Sequence, residues 1–267
     1  MGRLQGKKAV VLGAAGKDNM GQIIARRLAA EGATVLVAGR RAEPLEALAK
    51  EIGGHYALCD IAKRDDVFAL AETAKAKMGG VDIAVQAAAI APLIPFLENT
   101  EAQLREMTDI LFLGPFYFLQ AMIGSMDHGG SIVQISSATA TIMLNDHAAY
   151  MGAKAGIDHV VRAAANEFGS RGIKINSISP GLTDTPMTAG AKMTPGVFEA
   201  FIPSYPLGRV GTSDDIAAGV VWLASDECFM TGQNLHVNGG LTLRRNPNRE
   251  EIAAAVGAAM AAQAAKA

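Results

Sequence analysis

The sequence predicts a single doubly wound α/β domain, with a mostly parallel, seven-stranded sheet and helices on both faces. Short apolar runs alternate with longer helical segments along most of the chain. This alternation is what a parallel sheet with right-handed crossovers requires. Half of the 267 residues are hydrophobic and only 19% are charged, so the chain can bury a large core.

The elements are predicted in chain order. Apolar runs predict strands at 7–12, 34–38, 55–58, 82–87, 131–136, 173–178 and 234–237. The segments between them predict helices at 20–31, 43–52, 64–78, 101–126, 148–169 and 213–224. Gly13, Ser137 and Pro180 each follow the end of a strand, so we expect them at the edge where parallel sheets bind ligands.

Two segments stand apart from this alternation. Residues 183–206 mix prolines and glycines with large apolar side chains, which predicts a surface loop with two short helices. Residues 244–267 are charged first and then alanine-rich, which predicts an appended helix. That helix is expected either to pack on a neighbouring subunit or to fray. The main domain is therefore expected to span residues 1–243.

Composition narrows the class of protein. The net charge is -2 and no long basic run occurs, so nucleic acid is not an expected partner. Cys59 and Cys228 lie far apart and form no metal-ligand spacing, so no metal is expected. The sequence carries no recognisable secretory signal and no run of about 18 apolar residues, so no membrane span is expected. A cytoplasmic protein that acts on a small molecule fits best.

The most informative motif is the pair Tyr150 and Lys154, which lies thirteen residues after Ser137. Residues four apart share one face of a helix. A free phenol titrates near pH ~10, and a neighbouring ammonium lowers that pKa. A serine hydroxyl nearby polarises a carbonyl oxygen, so the trio suits proton exchange with a carbonyl or an alcohol. Taken alone, the pair would more often be an ordinary amphipathic pair on a helix surface.

A glycine-rich loop from Gly13 to Gly21 lies between the first strand and the first helix. Glycines there allow the backbone to approach a pyrophosphate, and the N-terminus of a helix favours its charge. We predict that Gly13, Gly16 and Gly21 belong to a phosphate site and that Lys17 adds positive charge. An ordinary glycine turn is the alternative.

Four sequence blocks, in this order and spacing, resemble the main branch of the short-chain dehydrogenase/reductase family. The blocks are 13–21, Ser137 with Tyr150 and Lys154, 176–181 (Asn-Ser-Ile-Ser-Pro-Gly) and 235–240 (Leu-His-Val-Asn-Gly-Gly). The resemblance covers about residues 7 to 243. It implies a Rossmann-type fold and an oxidoreductase that moves a hydride between a nicotinamide cofactor and a ketone or secondary alcohol.

The resemblance also implies residue roles. Tyr150 is the general acid in ketone reduction and the base in alcohol oxidation. Lys154 lowers the pKa of Tyr150 and binds the nicotinamide ribose, and Ser137 holds the carbonyl oxygen. Residues 183–206 correspond to a substrate lid. The predicted helices at 101–126 and 148–169 form the subunit contacts in relatives, which implies a homotetramer or a homodimer.

The choice of cofactor depends on the end of the second strand. Gly39 stands where an acidic side chain would bind the adenosine ribose hydroxyls and repel a 2'-phosphate. Arg40 and Arg41 follow, and guanidinium groups suit a phosphate, so NADP(H) is favoured. If these arginines are only solvated charges, NAD(H) is the alternative. The family pattern implies further cofactor contacts at Asn19, Met20, Asp60, Ile61, Ala87, Ala88, Pro180, Gly181, Thr183 and Thr185.

The chain departs from the family pattern at three places. Its glycine loop is two residues longer and has Asn19 in place of the middle glycine, which resembles the divergent enoyl reductases of this superfamily. Residues 86–89, Gln-Ala-Ala-Ala, stand where Asn-Asn-Ala-Gly is usual. Leu111 stands where the family has the asparagine of a water-linked proton path. Asp109 is two positions away and is not assigned that role.

Three functions are compatible with these features. A carbonyl reductase or alcohol dehydrogenase is favoured. An enoyl reductase is suggested by the long loop, but those relatives space tyrosine and lysine seven positions apart, and here His147 lies seven before Lys154. A non-catalytic nucleotide-binding scaffold is disfavoured because Ser137, Tyr150 and Lys154 are all present.

The expected substrate is an apolar or aromatic ketone, or the matching secondary alcohol, and acyl thioesters stay open as alternatives. Residues 92–96, Met143 and Met187 supply apolar side chains near the predicted site. No basic cluster is placed to bind a carboxylate or phosphate on the substrate. His147 is either a substrate contact or, as we favour, a polar residue at the start of a helix.

Overall fold

The computed structural model describes residues 2–265. Nine strands occur in this part of the chain: β1 (Lys8–Leu12), β2 (Thr34–Gly39), β3 (His55–Leu58), β4 (Ile83–Gln86), β5 (Gly130–Ile135), β6 (Ile173–Ile178), β7 (Thr183–Asp184), β8 (Gly211–Thr212) and β9 (Asn234–Leu235). Seven of them form one parallel sheet in the order β3-β2-β1-β4-β5-β6-β9. β7 and β8 form a separate parallel pair.

The α-helices of the described residues are α1 (Met20–Ala30), α2 (Ala42–Glu51), α3 (Arg64–Met78), α4 (Glu101–Thr108), α5 (Gly114–Ile123), α6 (Ala148–Phe168), α7 (Ala189–Met193), α8 (Val197–Phe201), α9 (Ser213–Ala224) and α10 (Arg249–Ala264). A π-helical turn, Asp109–Leu113, joins α4 to α5. The predicted single helix at 101–126 is therefore divided into three consecutive helical segments, the last of which ends at Ile123.

Alternating side chains of the strands face two separate cores. Val10 and Leu12 point into one core with α3, α5 and α6. Ala9 and Val11 point into the other with α1, α2 and α9. Successive side chains of a strand point to opposite faces of the sheet, so β1 must be apolar on both faces. This arrangement confirms the predicted doubly wound sheet with helices on both faces.

The carboxyl ends of the central strands lie at one edge of the sheet. In the register of the sheet, Leu12 lies beside Gln86, Gln86 beside Gln134, and Ile135 beside Ile178. The chain order reverses between β1 and β4, and open α/β sheets bind their ligands at such a switch point. The loops after β1, β4, β5 and β6 therefore meet where the sequence predicted the site.

The C-terminal helix α10 packs on α8 of the same chain. Gly196, just before α8, has a φ of 87°, and a Cβ built on it would lie 2.5 Å from the Ala255 carbonyl oxygen. Only glycine combines this conformation with so close a contact. Residues 1 and 266–267, which belong to the predicted terminal segments, lie outside the described residues.

Within residues 2–265, no helix is long and apolar enough to cross a membrane. The same residues contain no group of three or more His, Cys, Asp or Glu side chains arranged to hold a metal ion.

Candidate active site

Ser137, Tyr150 and Lys154 meet in one cavity of about 750 Å³ at the carboxyl edge of the sheet. Ser137 comes two residues after the last residue of β5, and Tyr150 and Lys154 lie in the first two turns of α6. The cavity wall is completed by the chain after β6, including Pro180 and Gly181. Two segments, the end of β5 and the start of α6, thus supply the trio of side chains that the sequence predicted together, and a third segment completes the wall.

Lys154 is buried and held by the sheet. Its Nζ donates a hydrogen bond to the carbonyl oxygen of Ile135 at 2.7 Å and lies 5.6 Å from the centroid of the Tyr150 ring. Burial lowers the pKa of Lys154 to about 8, and the carboxylate of Asp158 acts in the opposite direction. A charged ammonium here favours the phenolate form of Tyr150.

Tyr150 is also buried, and its burial raises the pKa of the phenol to about 12. The side chain of Ser137 acts against that rise. Ser137 is itself anchored: its Oγ accepts from the backbone N–H of Thr139 at 3.2 Å, and its carbonyl oxygen accepts from Ser179 Oγ at 3.0 Å. In the free protein the phenol is therefore protonated at neutral pH.

His147 lies at the start of α6 and also lines the same cavity. Its ring stacks on Tyr150, with centroids 4.2 Å apart, and its Nδ1 lies 3.2 Å from the Pro92 carbonyl oxygen. Its side chain makes no capping hydrogen bond to the helix. His147 thus lies both at the helix start and in the cavity wall, so each interpretation stays a prediction, and the contact with Tyr150 was not predicted.

A second cavity, of about 610 Å³, lies over the glycine loop and the ends of β2 and β4. Gly13 has a φ of 106°, and a Cβ built on it would lie 2.4 Å from the backbone nitrogen of Ala88. Asn19, which replaces the middle glycine, donates to the Gly13 carbonyl oxygen at 2.8 Å and accepts from the Gln22 N–H at 3.0 Å. Asn19 thus fixes the longer loop and caps α1 at once.

The residues of this second cavity fit a dinucleotide. The loop leads into the N-terminus of α1, which favours a pyrophosphate. Arg40 and Arg41 line the same cavity, and Arg41 Nη2 donates to the Ala15 carbonyl oxygen at 2.6 Å. A Cβ built on Gly39 would lie 2.7 Å from Ala15 Cβ, so an acidic side chain at residue 39 would require Ala15 to move.

Two departures from the family pattern have a structural account. Gln86 is buried and its Nε2 donates to the Ala88 carbonyl oxygen at 2.8 Å, so the side chain ties down the loop that Gly13 touches. Leu111 lies within the π-helical turn and is fully buried in the core. It has no polar atom for a proton path.

The two cavities share four lining residues, Asn19, Ala87, Ala89 and Met187. The cavity over the glycine loop contains these predicted cofactor residues: Gly13, Gly16, Asn19, Arg40, Arg41, Asp60, Ile61, Ala87 and Ala88. The cavity with Tyr150 contains the other predicted residues Met20, Gly21, Ser137, His147, Lys154, Pro180, Gly181, Thr183, Thr185 and Met187. Lys17 and Met143 are exposed and line neither cavity.

Several residues that line the cavity with Tyr150 were not predicted from the sequence. The chain beyond residue 243 adds Asn246, Pro247, Arg249, Ile252 and Ala253 to the cavity with Tyr150. Arg249 forms an ion pair with Asp146, the residue that precedes His147. Asn246 Nδ2 donates to the Met143 carbonyl oxygen at 3.0 Å. The alanine-rich tail has no apolar periodicity that would signal such a contact.

Comparisons with known proteins agree with the geometry. A family model described as enoyl-(acyl carrier protein) reductase matches residues 13–242. The chain is 36% identical over 251 residues to D-threitol dehydrogenase of Mycolicibacterium smegmatis, covering 91% of this chain and 95% of that protein. It is also 36% identical over 250 residues to 2,5-dichloro-2,5-cyclohexadiene-1,4-diol dehydrogenase of Sphingobium indicum, covering 91% of this chain and 99% of that protein.

Among solved structures, a short-chain type dehydrogenase/reductase from Mycobacterium ulcerans has a TM-score of 0.88 at 28% identity, covering 94% of this chain and 98% of that one. The chain therefore belongs to the short-chain dehydrogenase/reductase family. It is an oxidoreductase that acts on the alcohol or carbonyl group of a small molecule, and dehydrogenases of this family use NAD(P)(H). The predicted family and enzyme class are confirmed, and the non-catalytic alternative has no support.

Proposed function

We propose that this enzyme transfers a hydride between NADP(H) and an apolar ketone or secondary alcohol, with Tyr150 as the acid and base. One observation carries the proposal. Ser137, Tyr150 and Lys154 share a cavity that borders the cavity with Arg40 and Arg41 through four common lining residues. A carbonyl beside Tyr150 and a dinucleotide over the glycine loop would then be neighbours.

The preference for NADP(H) rests on charge and space at the end of β2. Arg40 and Arg41 are exposed cations that line the nucleotide cavity, and guanidinium groups bind a phosphate bidentately. Gly39 offers no carboxylate to bind ribose hydroxyls, and Ala15 leaves little room for one. Asp60 and Ile61 border the same cavity and would contact the adenine.

The proposed reaction assigns one task to each residue. NADP(H) supplies or accepts the hydride when it is bound. In ketone reduction, Ser137 Oγ hydrogen-bonds the carbonyl oxygen and Tyr150 gives that oxygen its phenolic proton. Lys154 remains on the Ile135 carbonyl, stabilises the resulting phenolate with its positive charge and binds the nicotinamide ribose. In alcohol oxidation, Tyr150 takes the proton back.

The lining of the cavity favours an apolar substrate. Leu144, Val197, Phe201 and Ile252 contribute apolar side chains, and Met187 lies where the two cavities meet. One relative is a dehydrogenase of a chlorinated cyclohexadiene diol, which is a secondary alcohol on an apolar ring. A cyclic or aryl ketone, or the matching secondary alcohol, is the substrate class that we propose.

We also propose an assignment of chain segments. Residues 1–243 bind cofactor and substrate, residues 183–206 act as the substrate lid, and residues 244–267 form an extension. The contact of Gly196 with Ala255 supports a coupling of lid and extension. Leu104 and Phe116 are exposed apolar residues on α4 and α5, which supports the expected homotetramer through that surface. The mass of the protein in solution, measured by light scattering, tests whether it forms this homotetramer.

An enoyl reductase is the second candidate. The description of the matching family model and the long glycine loop favour it. The position of His147 disfavours it, because His147 occupies the place of the tyrosine that those relatives have seven residues before the lysine. The two candidates differ in the bond that is reduced, either C=O or C=C.

The experiment combines binding and turnover on the same preparation. Thermal shifts are measured with NADP+ and NAD+, and NADPH absorbance is followed with a panel of ketones and a matched panel of enones. We expect stronger stabilisation by NADP+ and ketone-dependent loss of NADPH that Tyr150→Phe abolishes. Turnover of enones at the C=C bond alone would overturn the proposal in favour of the second candidate, and stronger stabilisation by NAD+ would overturn the cofactor assignment.

A further inference from the structure

A partly buried polar cluster lies one helical turn after Lys154 along α6. Asp158 is its centre. Its Oδ2 accepts hydrogen bonds from Ser136 Oγ at 2.7 Å and from Asn234 Nδ2 at 2.6 Å. Ser136 follows the last residue of β5 and Asn234 begins β9. One carboxylate therefore joins α6 to the ends of two parts of the sheet.

The cluster and the catalytic lysine are held by adjacent residues. Asp158 is four residues after Lys154, and Lys154 is four residues after Tyr150, so the three side chains share one face of α6. Ile135, whose carbonyl accepts from Lys154, directly precedes Ser136, whose hydroxyl donates to Asp158. The end of β5 thus holds the ammonium and the carboxylate one helical turn apart, where they interact through charge.

The cluster is poorly suited to a purely structural task. Within residues 2–265, Asn234 Oδ1 makes no hydrogen bond, and the side chain of Ser177 lies against the carboxyl group of Asp158. Burial raises the pKa of Asp158, whereas its three polar neighbours and the charge of Lys154 act against that rise. Apolar side chains of similar size would hold the helix without this cost, and a shielded carboxylate near a buried ammonium marks a candidate functional site.

We propose that Asp158 is a positioning residue of the reaction, whose carboxylate balances the buried charge of Lys154 so that this ammonium stays protonated beside Tyr150. The proposal rests on the function proposed above for Tyr150 and Lys154. Asp158 does not touch the reacting atoms; it acts through the lysine. Burial lowers the pKa of Lys154, and the Asp158 carboxylate is the acidic group that opposes this effect.

The groups around Asp158 determine in which direction its charge changes the pH dependence of the reaction. The titratable groups that feel its charge are Lys154 and Tyr150, both on α6. The residue after β5 and the strands β6 and β9 contribute Ser136, Ser177 and Asn234, which do not titrate. The negative charge raises the pKa of both Lys154 and Tyr150, so its removal lowers both.

The test is the pH profile of kcat for alcohol oxidation with saturating NADP+. The positive charge of bound NADP+ lowers the pKa of Tyr150 from its value in the free protein, so the rate rises as Tyr150 loses its proton and falls as Lys154 loses its own. In Asp158→Asn, which keeps the shape of the side chain, both limbs should move to lower pH by about one unit. Asp158→Glu should restore the limbs toward their original positions. Ser136→Ala, which keeps the charge, should lower kcat without moving either limb.

Circular dichroism first establishes that Asp158→Asn is folded; if it is not, Asp158→Ser removes the same charge and should show the same displacement. A uniform loss of kcat at all pH values, with both limbs in place, would overturn the inference and leave Asp158 a structural residue. Tyr150→Phe is measured alongside. Wild-type activity in that variant would overturn the proposed function itself, whereas an inactive Tyr150→Phe with unmoved limbs in Asp158→Asn would overturn the role of Asp158 alone.

Discussion

The imidazole of His147 stacks on the phenol ring of Tyr150, with ring centroids 4.2 Å apart and an angle of 28° between the ring planes. Its Nδ1 lies within hydrogen-bonding distance, 3.2 Å, of the Pro92 carbonyl oxygen in the loop after β4. Burial lowers the pKa of His147, so the ring is neutral at pH 7 and its Nδ1–H donates to that oxygen. His147 thus ties the ring of the proposed acid to a loop of the sheet.

This contact predicts different results for two substitutions. His147→Phe keeps an aromatic ring against Tyr150 and should keep kcat/KM within about threefold of the wild type. His147→Ala removes the stacking, worth about 0.5–1.5 kcal/mol, and should lower kcat/KM by about two- to twelvefold and by more than His147→Phe does. Steady-state kinetics measures both. Equal losses in the two variants would mean that the hydrogen bond to Pro92, not the stacking, supports Tyr150.

The contact between the lid and α10 predicts a loss of substrate affinity in Gly196→Ala. A side chain at this φ, 2.5 Å from the Ala255 carbonyl oxygen, must push α10 away from α8. Because α10 supplies Ile252 to the cavity wall, KM should rise several-fold with little change in kcat. Gly208→Ala is the matched control, since Gly208 also has a positive φ and lines neither cavity, and a Cβ there meets nothing within 4 Å. A similar KM in both variants would contradict the proposed role of the extension.

We expect Arg40 and Arg41, which follow β2, to bind the 2'-phosphate of the cofactor. Arg40→Ala and Arg41→Ala should each raise the Kd for NADP+ by about tenfold, the equivalent of one lost charge-assisted contact, and leave the Kd for NAD+ within about twofold. Lys17→Ala is the control, because this exposed cation belongs to the glycine-rich loop but lines neither cavity. An equal rise in the Kd for NADP+ and for NAD+ would show that the arginines do not bind the 2'-phosphate.

Buried Lys154 predicts a pH-dependent cost in stability. Its folded pKa of about 8 lies below the unfolded value of 10.5, so between these pH values the unfolded chain binds more protons and stability rises with pH. Lys154→Met removes this dependence. Relative to the wild type, the variant should be most stabilised at pH 7, and its advantage should shrink by about 2–3 kcal/mol by pH 10.5.

Urea unfolding of the two proteins at pH 7, 9 and 10.5 measures that difference. Lys17→Met is the control, because Lys17 is exposed and its removal should leave the pH dependence of the free energy of unfolding unchanged. A constant difference between Lys154→Met and the wild type over this range would mean that Lys154 is not buried as an ammonium in the folded protein.

The strands and helices were predictable because the sequence features that specify them lie within a few residues of each element. The predicted bounds of α3, β6 and α9 match the structure to the residue. Thr212 illustrates why: it caps α9 by accepting from the Asp215 N–H, a signal that lies within four residues. The predicted site motifs are likewise short and follow strand ends, so the parallel sheet brings them to one edge.

The remaining features depend on contacts between distant residues. The β7–β8 pair joins two-residue strands that are 27 positions apart, from Asp184 to Gly211, and neither has an apolar pattern. Leu111 gives no signal that the helix around it becomes a π turn. Ile252 lines the cavity only because α10 folds back onto α8. Lys17 and Met143 are exposed because of the direction in which their side chains point, which the sequence does not specify.

The most direct test of the proposed reaction is the destination of the hydride. An enone is reduced with NADPH that carries deuterium at both C4 positions, and the product is examined by NMR. We predict one deuterium on the former carbonyl carbon, and no labelled product with Tyr150→Phe. Deuterium on the β-carbon of the saturated ketone, formed equally well by Tyr150→Phe, would contradict the account and identify an enoyl reductase.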